Sequence, residues 1–228
     1  MSTLLITIVP SILILLYFFL SDKFKEPKGS IALVFFLGIL ICLPAGIIND
    51  FMYDNFNDGS ELSKSLYSSF LGPAWSEEVL KFIILYFVVL RRNEFNEPMD
   101  GIVYGVVASL GFATYENYTY VFVLAETWDI LPSQMAIWRS YSAVPMHGLN
   151  GAIMGFYFGM YAFTASKKYL VLCLLIPFLF HGFYNFLVIF SPLHLLIVVG
   201  MLIYAVILNS NLKKLQLKKK REQETLKI

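Results

Sequence analysis

Residues 70–90 read FLGPAWSEEVLKFIILYFVVL. The run is long enough to cross a bilayer as a helix, which takes about 20 residues, yet it carries Glu77, Glu78 and Lys81. An ionisable side chain at the bilayer centre costs about 2.5–3.5 kcal/mol even on the lenient insertion scale. Such groups face a polar interior, pair with one another, and need further helices to enclose them. The stretch therefore predicts an all-α, polytopic transmembrane helix bundle.

The rest of the chain agrees. Its 228 residues are 58% hydrophobic and 14% charged, with mean hydropathy +0.68. A soluble domain of that length would carry more charge. We expect one integral membrane domain over residues 1–228, with membrane lipids as neighbours and no nucleic-acid partner. Cys42 and Cys173 stand alone in apolar segments, where packing is the expected role. The N-terminus lacks the basic start and cleavage site of a signal peptide and reads as a retained first helix.

Seven apolar runs are visible: Leu4–Leu20, Ile31–Ile48, Phe70–Leu90, Gly101–Leu124, Ile137–Thr164, Tyr169–Phe190 and His194–Leu208. Basic residues follow the first (Lys23, Lys25, Lys28), third (Arg91, Arg92) and fifth (Lys167, Lys168), and crowd the tail at Lys213, Lys214, Lys218, Lys219, Lys220, Arg221 and Lys227. The other connections hold almost none. The positive-inside rule then places the N-terminus outside and the C-terminus in the cytoplasm. The segment Asn49–Asp58 reads as an acidic outer loop. Leu62, Leu66 and Phe70, spaced by four, fit either a short amphipathic helix on the outer face or an ordinary polar loop. The basic tail reads as a topology anchor.

This topology puts the ionisable residues at one depth. Counting about 1.5 Å of rise per residue, Glu77 and Glu78, Glu116, His147 and His181 each fall about two to three turns below the outer surface. Four runs thus deliver polar groups to one outer cavity. Lys81 stands at i+4 from Glu77 and i+3 from Glu78, so it can pair with either carboxylate. Holding one of two adjacent carboxylates charged while the other's pKa rises is how a general acid or base is tuned. Gly72-Pro73 suggests a helix start at Pro73, with the glutamates near the positive end of its dipole.

Asn185 lies one turn from His181 and is placed to orient it. Phe112 and Glu116 share a face. Gly151, Gly155 and Gly159, like Gly101 and Gly105, have the spacing that lets membrane helices approach closely, and packing is the expected role. Asp100 reads as an N-cap and His194 as an interfacial surface residue. Arg139 can pair with a carboxylate, bind lipid headgroups or approach the site; the sequence leaves these open.

These residues carry a resemblance. The segment Ser76-Glu77-Glu78-Val79-Leu80-Lys81 resembles the EExxK motif of the PrsW family of bacterial membrane proteases. DGIVYGVVASLGFATYEN, Asp100 to Asn117, is similar to the family's second motif, with FxxxE at Phe112 and Glu116. His147, in AVPMHGLNGAIMGFYFG, matches the third polar position, and Arg139 falls where the family tends to carry an arginine. His181 and Asn185, in FHGFYNF, resemble the fourth motif. That motif is often HxxxD; HxxxN is closer to the related CAAX-processing and bacteriocin-processing membrane proteases, and an asparagine there can orient a histidine but carries no charge.

The resemblance implies an intramembrane-type endopeptidase. Family members are associated with the first, extracytoplasmic cut of a membrane-anchored anti-sigma factor, so a single-pass membrane protein of that kind is the expected substrate. Two mechanisms fit the residues. In a glutamate protease, Glu77 or Glu78 takes a proton from water while His147 and His181 stabilise the oxyanion or relay the proton; this metal-free form is the preferred expectation. In a zinc protease, His147, His181 and Glu116 would supply the ligands and a glutamate of the pair the base. No HExxH segment is present. The competing class is a proton- or ion-coupled carrier built on the same buried groups. Against it, the polar residues share one depth and no inverted repeat is visible.

Overall fold

The apolar runs fold into helices whose lengths follow the hydropathy. The computed structural model describes residues 2–190 and 192–225, and among these the regular structure is entirely helical. Helix α1 spans Thr3–Ser21; α2 (Lys28–Leu40) and α3 (Cys42–Phe56) form one rod interrupted only at Ile41. Then come α4 (Glu61–Leu66), a wide-turned π segment Tyr67–Ala74, and α5 (Trp75–Ile84), which ends in a second π segment, Leu85–Val89. Helix α6 (Pro98–Thr119) continues through Tyr120–Leu124 into the single turn of α7 (Ala125–Thr127). Helices α8 (Pro132–Tyr141), α9 (Ala143–Thr164), α10 (Lys167–Phe190) and α11 (His194–Thr225) complete the chain.

Helices α6 and α9 form the centre and pack more extensively against each other than any other pair. Both are buried along most of their length. The glycines make this approach possible. A Cβ on Gly101 would strike the Gly155 carbonyl, one on Gly105 the Gly151 carbonyl, and one on Gly159 the Pro98 carbonyl. Around this pair the outer helices turn apolar side chains such as Leu13, Leu20, Phe36, Ile47, Leu196 and Ile203 outward. Among the described residues four helices are long and apolar enough to cross a membrane: Thr3–Ser21, Lys28–Phe56, Lys167–Val188 and His194–Leu217. The remaining rods carry Glu77, Glu78, Lys81, Glu116, Arg139 and His147.

The basic segments meet at one end of the bundle. The Ser30 hydroxyl donates to Glu94 Oε1 at 2.5 Å and Arg92 Nη1 donates to the same oxygen at 2.9 Å, joining the first turn of α2 to the α5–α6 connection. The Ser30 hydroxyl chiefly, with the Glu94 backbone N–H and Arg92, holds the Glu94 carboxyl down to about 2. Gln216, late in α11, donates to Asp22 Oδ1 at 2.8 Å, bringing the C-terminal helix to the same end. The side chains of Lys218, Lys219, Lys220 and Arg221, and all of Lys227, lie outside the described residues.

Four expectations about local structure are corrected. Pro73 does not start a helix: the chain is already helical from Glu61, and the wide turns between Tyr67 and Ala74 accommodate a residue that lacks an N–H and would clash with the carbonyl four residues back. The glutamates therefore sit inside a continuous helical rod. The acidic stretch is no loop as far as Phe56, because α3 runs through it. The run Ile137–Thr164 is two helices, broken at Ser142 (φ −122°, ψ −73°). Pro145 has no N–H to offer the Tyr141 carbonyl, and the rod breaks here, whereas α1 and α10 run on through Pro10 and Pro177. Asp100 is the third residue of α6; the N-cap is Glu97, and the two form a reciprocal capping box. The short outer helix does form, as α4, with Ser60 as its cap.

Candidate active site

The EExxK segment places Glu77, Glu78 and Lys81 on the inward face of α5, and all three are buried. Lys81 Nζ lies 2.8 Å from Glu78 Oε1 and 3.8 Å from Glu77 Oε2. It also reaches His147 Nδ1 on α9 at 3.1 Å and stands 4.6 Å from the centre of the Phe112 ring. An ammonium has only hydrogens to offer. As an ammonium, Lys81 donates to His147 Nδ1, so that imidazole carries its proton on Nε2 and donates it to Glu116 Oε2, 3.0 Å away on α6.

On α10, His181 Nδ1 lies 2.8 Å from Glu78 Oε1, while its Nε2 faces Glu77 Oε2 at 3.9 Å. Donation from Nδ1 to Glu78 leaves the Nε2 lone pair directed toward Glu77, the carboxylate-oriented imidazole common beside reactive centres. The partner of His181 is thus Glu78 and not Asn185, which lines the cavity wall. The two imidazoles stand edge to face, 5.1 Å between centres.

The break at Ser142 sets the other side. It turns α8 so that Arg139 Nη2 meets Glu116 Oε2 at 2.5 Å and its Nε donates to Asn117 Oδ1 at 2.8 Å. The guanidinium also lies over Tyr120, 3.8 Å from the ring centre. Of the three roles open to Arg139, the structure shows two: it pairs with a carboxylate and it lines the site. Asn117 was not singled out from the sequence. It is fully buried and anchors this chain to α1 by donating to the Thr7 carbonyl at 2.8 Å. The signal was an amide in an apolar helix next to Glu116.

A cavity of about 970 Å³ opens over these groups, lined by Glu77, Glu116, Arg139, His147, His181 and Asn185 among others. Glu78 and Lys81 are not in its wall. The glutamate pair is therefore divided: Glu77 faces the cavity, and Glu78 stands behind it, engaged by Lys81 and His181. His194, at the start of α11, belongs to the same wall and packs edge-on against Tyr184.

One ligand atom each from Glu77, His147 and His181 lies within 4.8 Å of the others, and Glu77 Oε2 is buried without a hydrogen-bond partner. A carboxylate and two imidazoles are a donor set for catalytic zinc. The sequence-based ligand set named Glu116 as the carboxylate. In the structure Glu116 is engaged by Arg139 and His147, and Glu77 takes the place in the three-residue group.

Comparison with known proteins gives a consistent picture. A family model described as PrsW family intramembrane metalloprotease matches residues 26–210. Protease PrsW of Bacillus subtilis (strain 168) is 39% identical over 184 residues, covering 79% of each chain. Protease PrsW of Geobacillus kaustophilus (strain HTA426) is 37% identical over 183 residues, 79% of this chain and 76% of the relative. That of Clostridioides difficile (strain 630) is 29% identical over 218 residues, 93% and 89% of the two chains. No solved structure matches the chain.

Proposed function

Because the chain belongs to the PrsW family and is a multi-pass bacterial membrane peptidase, we propose that its cavity makes the extracytoplasmic-side cut in a single-pass membrane protein such as an anti-sigma factor. The observation that carries the assignment of the site is the convergence of Glu77, His147 and His181 on one wall of the cavity, with Glu77 Oε2 free of hydrogen bonds. The substrate class is supported by the family resemblance, and the side of cutting by the charge pattern, which puts the cavity in the outer half of the membrane.

Glu77, His147 and His181 would hold a divalent ion, His147 through the Nδ1 that Lys81 otherwise occupies. When bound, such an ion supplies Lewis-acid polarisation of the scissile carbonyl and a more acidic water. The chain's own groups do the rest. Glu78 orients His181 through Nδ1, and Glu116 with Arg139 orients His147 through Nε2. Without the ion, Glu77, which faces the cavity and keeps Oε2 free of hydrogen bonds, accepts the proton of the attacking water. Lys81 balances the charge of the pair from behind, so that a carboxylate remains available at the buried floor of the cavity.

The test compares new protein N-termini in membranes of cells making the wild type or Glu77→Gln/Glu78→Gln. New ends just outside the transmembrane helices of single-pass proteins, absent from the variant, are the expected result. Matching profiles from stably made proteins would overturn the proposal. Metal analysis runs beside it: stoichiometric zinc lost in His147→Ala and Glu77→Gln supports the ligand set. Cleavage that survives complete chelation would assign the reaction to Glu77 acting alone on water.

A further inference from the structure

A second buried cluster lies at the opposite end of the bundle. Asp22 ends α1, Glu26 follows in the α1–α2 connection, and Asp100 is in the first turn of α6. All three are buried, and one carboxylate oxygen of each lies within 4.8 Å of the others. Their immediate partners are few. The Tyr104 hydroxyl donates to Glu26 Oε2 at 2.6 Å. Asp100 Oδ2 accepts from the backbone of Asn96 and Glu97, at 2.8 and 2.9 Å. Asp22 Oδ1 accepts from the Phe24 N–H at 3.0 Å and from Gln216 at 2.8 Å.

Cations stand near without pairing. Lys25 directs its ammonium to the carbonyls of Phe19 and Asp22, and Arg92 is engaged with Ser30 and Glu94. Among the described residues no lysine or arginine forms an ion pair with Asp22, Glu26 or Asp100. Buried carboxylates in contact cannot all ionise without a countercharge.

A separate observation comes from α11. Gln216 is buried and donates from Nε2 to Asp22 and to the Glu97 carboxylate, while its amide oxygen, Oε1, has no hydrogen-bond partner. Asp22 Oδ2 and Asp100 Oδ1 are likewise without one. One buried oxygen each of Asp22 and Asp100 is thus withdrawn from water and left unsatisfied, in a group of three carboxylates that supplies no nitrogen or sulfur ligand. Oxygen-only sets suit hard divalent cations, not zinc or copper.

We propose that Asp22, Glu26 and Asp100 bind a hard divalent cation of the Mg²⁺ or Ca²⁺ kind. The ion ties the α1–α2 connection to the start of α6, and Asp22, held by Gln216, links that joint to α11. It is distinct from the cavity group in place, in donor type and in metal class.

The test uses the full chain in detergent, stripped with chelator, both as wild type and as Glu77→Gln so that the cavity ligands do not contribute. Mg²⁺ and Ca²⁺ are titrated separately while thermal unfolding is followed. A saturable rise in Tm is expected with at least one ion in both proteins, and its reduction by half or more in Asp22→Asn/Glu26→Gln. Terbium supplies a readout that needs no carboxylate variant. Excited through Tyr104, which touches Glu26, it should emit in a Ca²⁺- or Mg²⁺-displaceable manner and lose most of that emission in Tyr104→Phe. No Tm response in the wild type, an undiminished response in a folded Asp22→Asn/Glu26→Gln protein, or emission unchanged by Tyr104→Phe would each overturn the proposal; the carboxylates are then neutralised by protons.

Discussion

Lys81 is enclosed by two carboxylates, an imidazole and the face of Phe112, with none of its surface exposed. Removing one partner of a buried ionic set costs about 3–5 kcal/mol, because the remaining charge is left uncompensated. Lys81→Met keeps most of the stem and removes the donors. We expect it to abolish cleavage and to lower Tm, as read by an activity assay and thermal unfolding of the same preparation. Arg139→Lys tests the other side. A lysine keeps the charge but cannot serve Glu116, Asn117 and the Tyr120 ring at once. Activity should fall by about 10- to 100-fold, the usual cost of losing a group that orients a reactive histidine, with the fold retained by circular dichroism. The candidate residues themselves were legible in the sequence, since ionisable groups in apolar helices are costly enough to stand out. Their pairing was not. Glu77 and Glu78 are adjacent in sequence, and only the positions of α9 and α10 decide which one faces the cavity. Asn117 escaped because an uncharged amide costs too little in an apolar segment to draw notice beside a glutamate.

At the scale of elements, the α6–α9 contact gives the sharpest expectation. A methyl at Gly155 would collide with the backbone of Gly101 and Ile102, which cannot move aside as a side chain can. Gly155→Ala should destabilise the protein by about 1–3 kcal/mol, the usual cost of overpacking. Gly46, on α3, has open space where its Cβ would go. Gly46→Ala should be neutral or stabilising by up to about 1 kcal/mol through helix propensity. Equal losses of thermal stability in the two variants would show that backbone approach does not govern this packing. The glycine spacing was readable because four-residue steps lie on one helix face. The break at Ser142 was harder to read: no glycine marks it, and the proline responsible lies three residues beyond, inside an apolar run of ordinary span character. Pro73 misled in the opposite direction, because the wide turns around it take up its ring and missing donor within a continuous helix.

For the whole molecule, the arrangement of basic connections makes a prediction about sidedness. Glu61, at the start of α4, and Asn93, between α5 and α6, are both exposed and belong to opposite ends of the bundle. In a Cys42→Ser/Cys173→Ser background, a membrane-impermeant maleimide added to intact cells should label Glu61→Cys and leave Asn93→Cys unlabelled until the cells are opened. The reverse pattern would invert the orientation, and with it the side from which a substrate reaches the cavity. The all-helical class followed from hydropathy alone, because apolar segments of this length have few other ways to satisfy their backbone in lipid.

The chain of contacts that begins at the Thr7 carbonyl and passes through Asn117, Arg139, Glu116, His147, Lys81 and Glu78 ends on His181. In order of synthesis, its first member lies in the first helix and its last in α10. A nascent chain that has inserted as far as α9 holds both glutamates, Lys81 and one histidine, but lacks the imidazole that Glu78 orients. The ribosome thus delivers the reactive centre complete only when most of the bundle is already in the bilayer, and a peptidase born among other unfinished membrane proteins has nothing to cut them with until it is nearly finished itself.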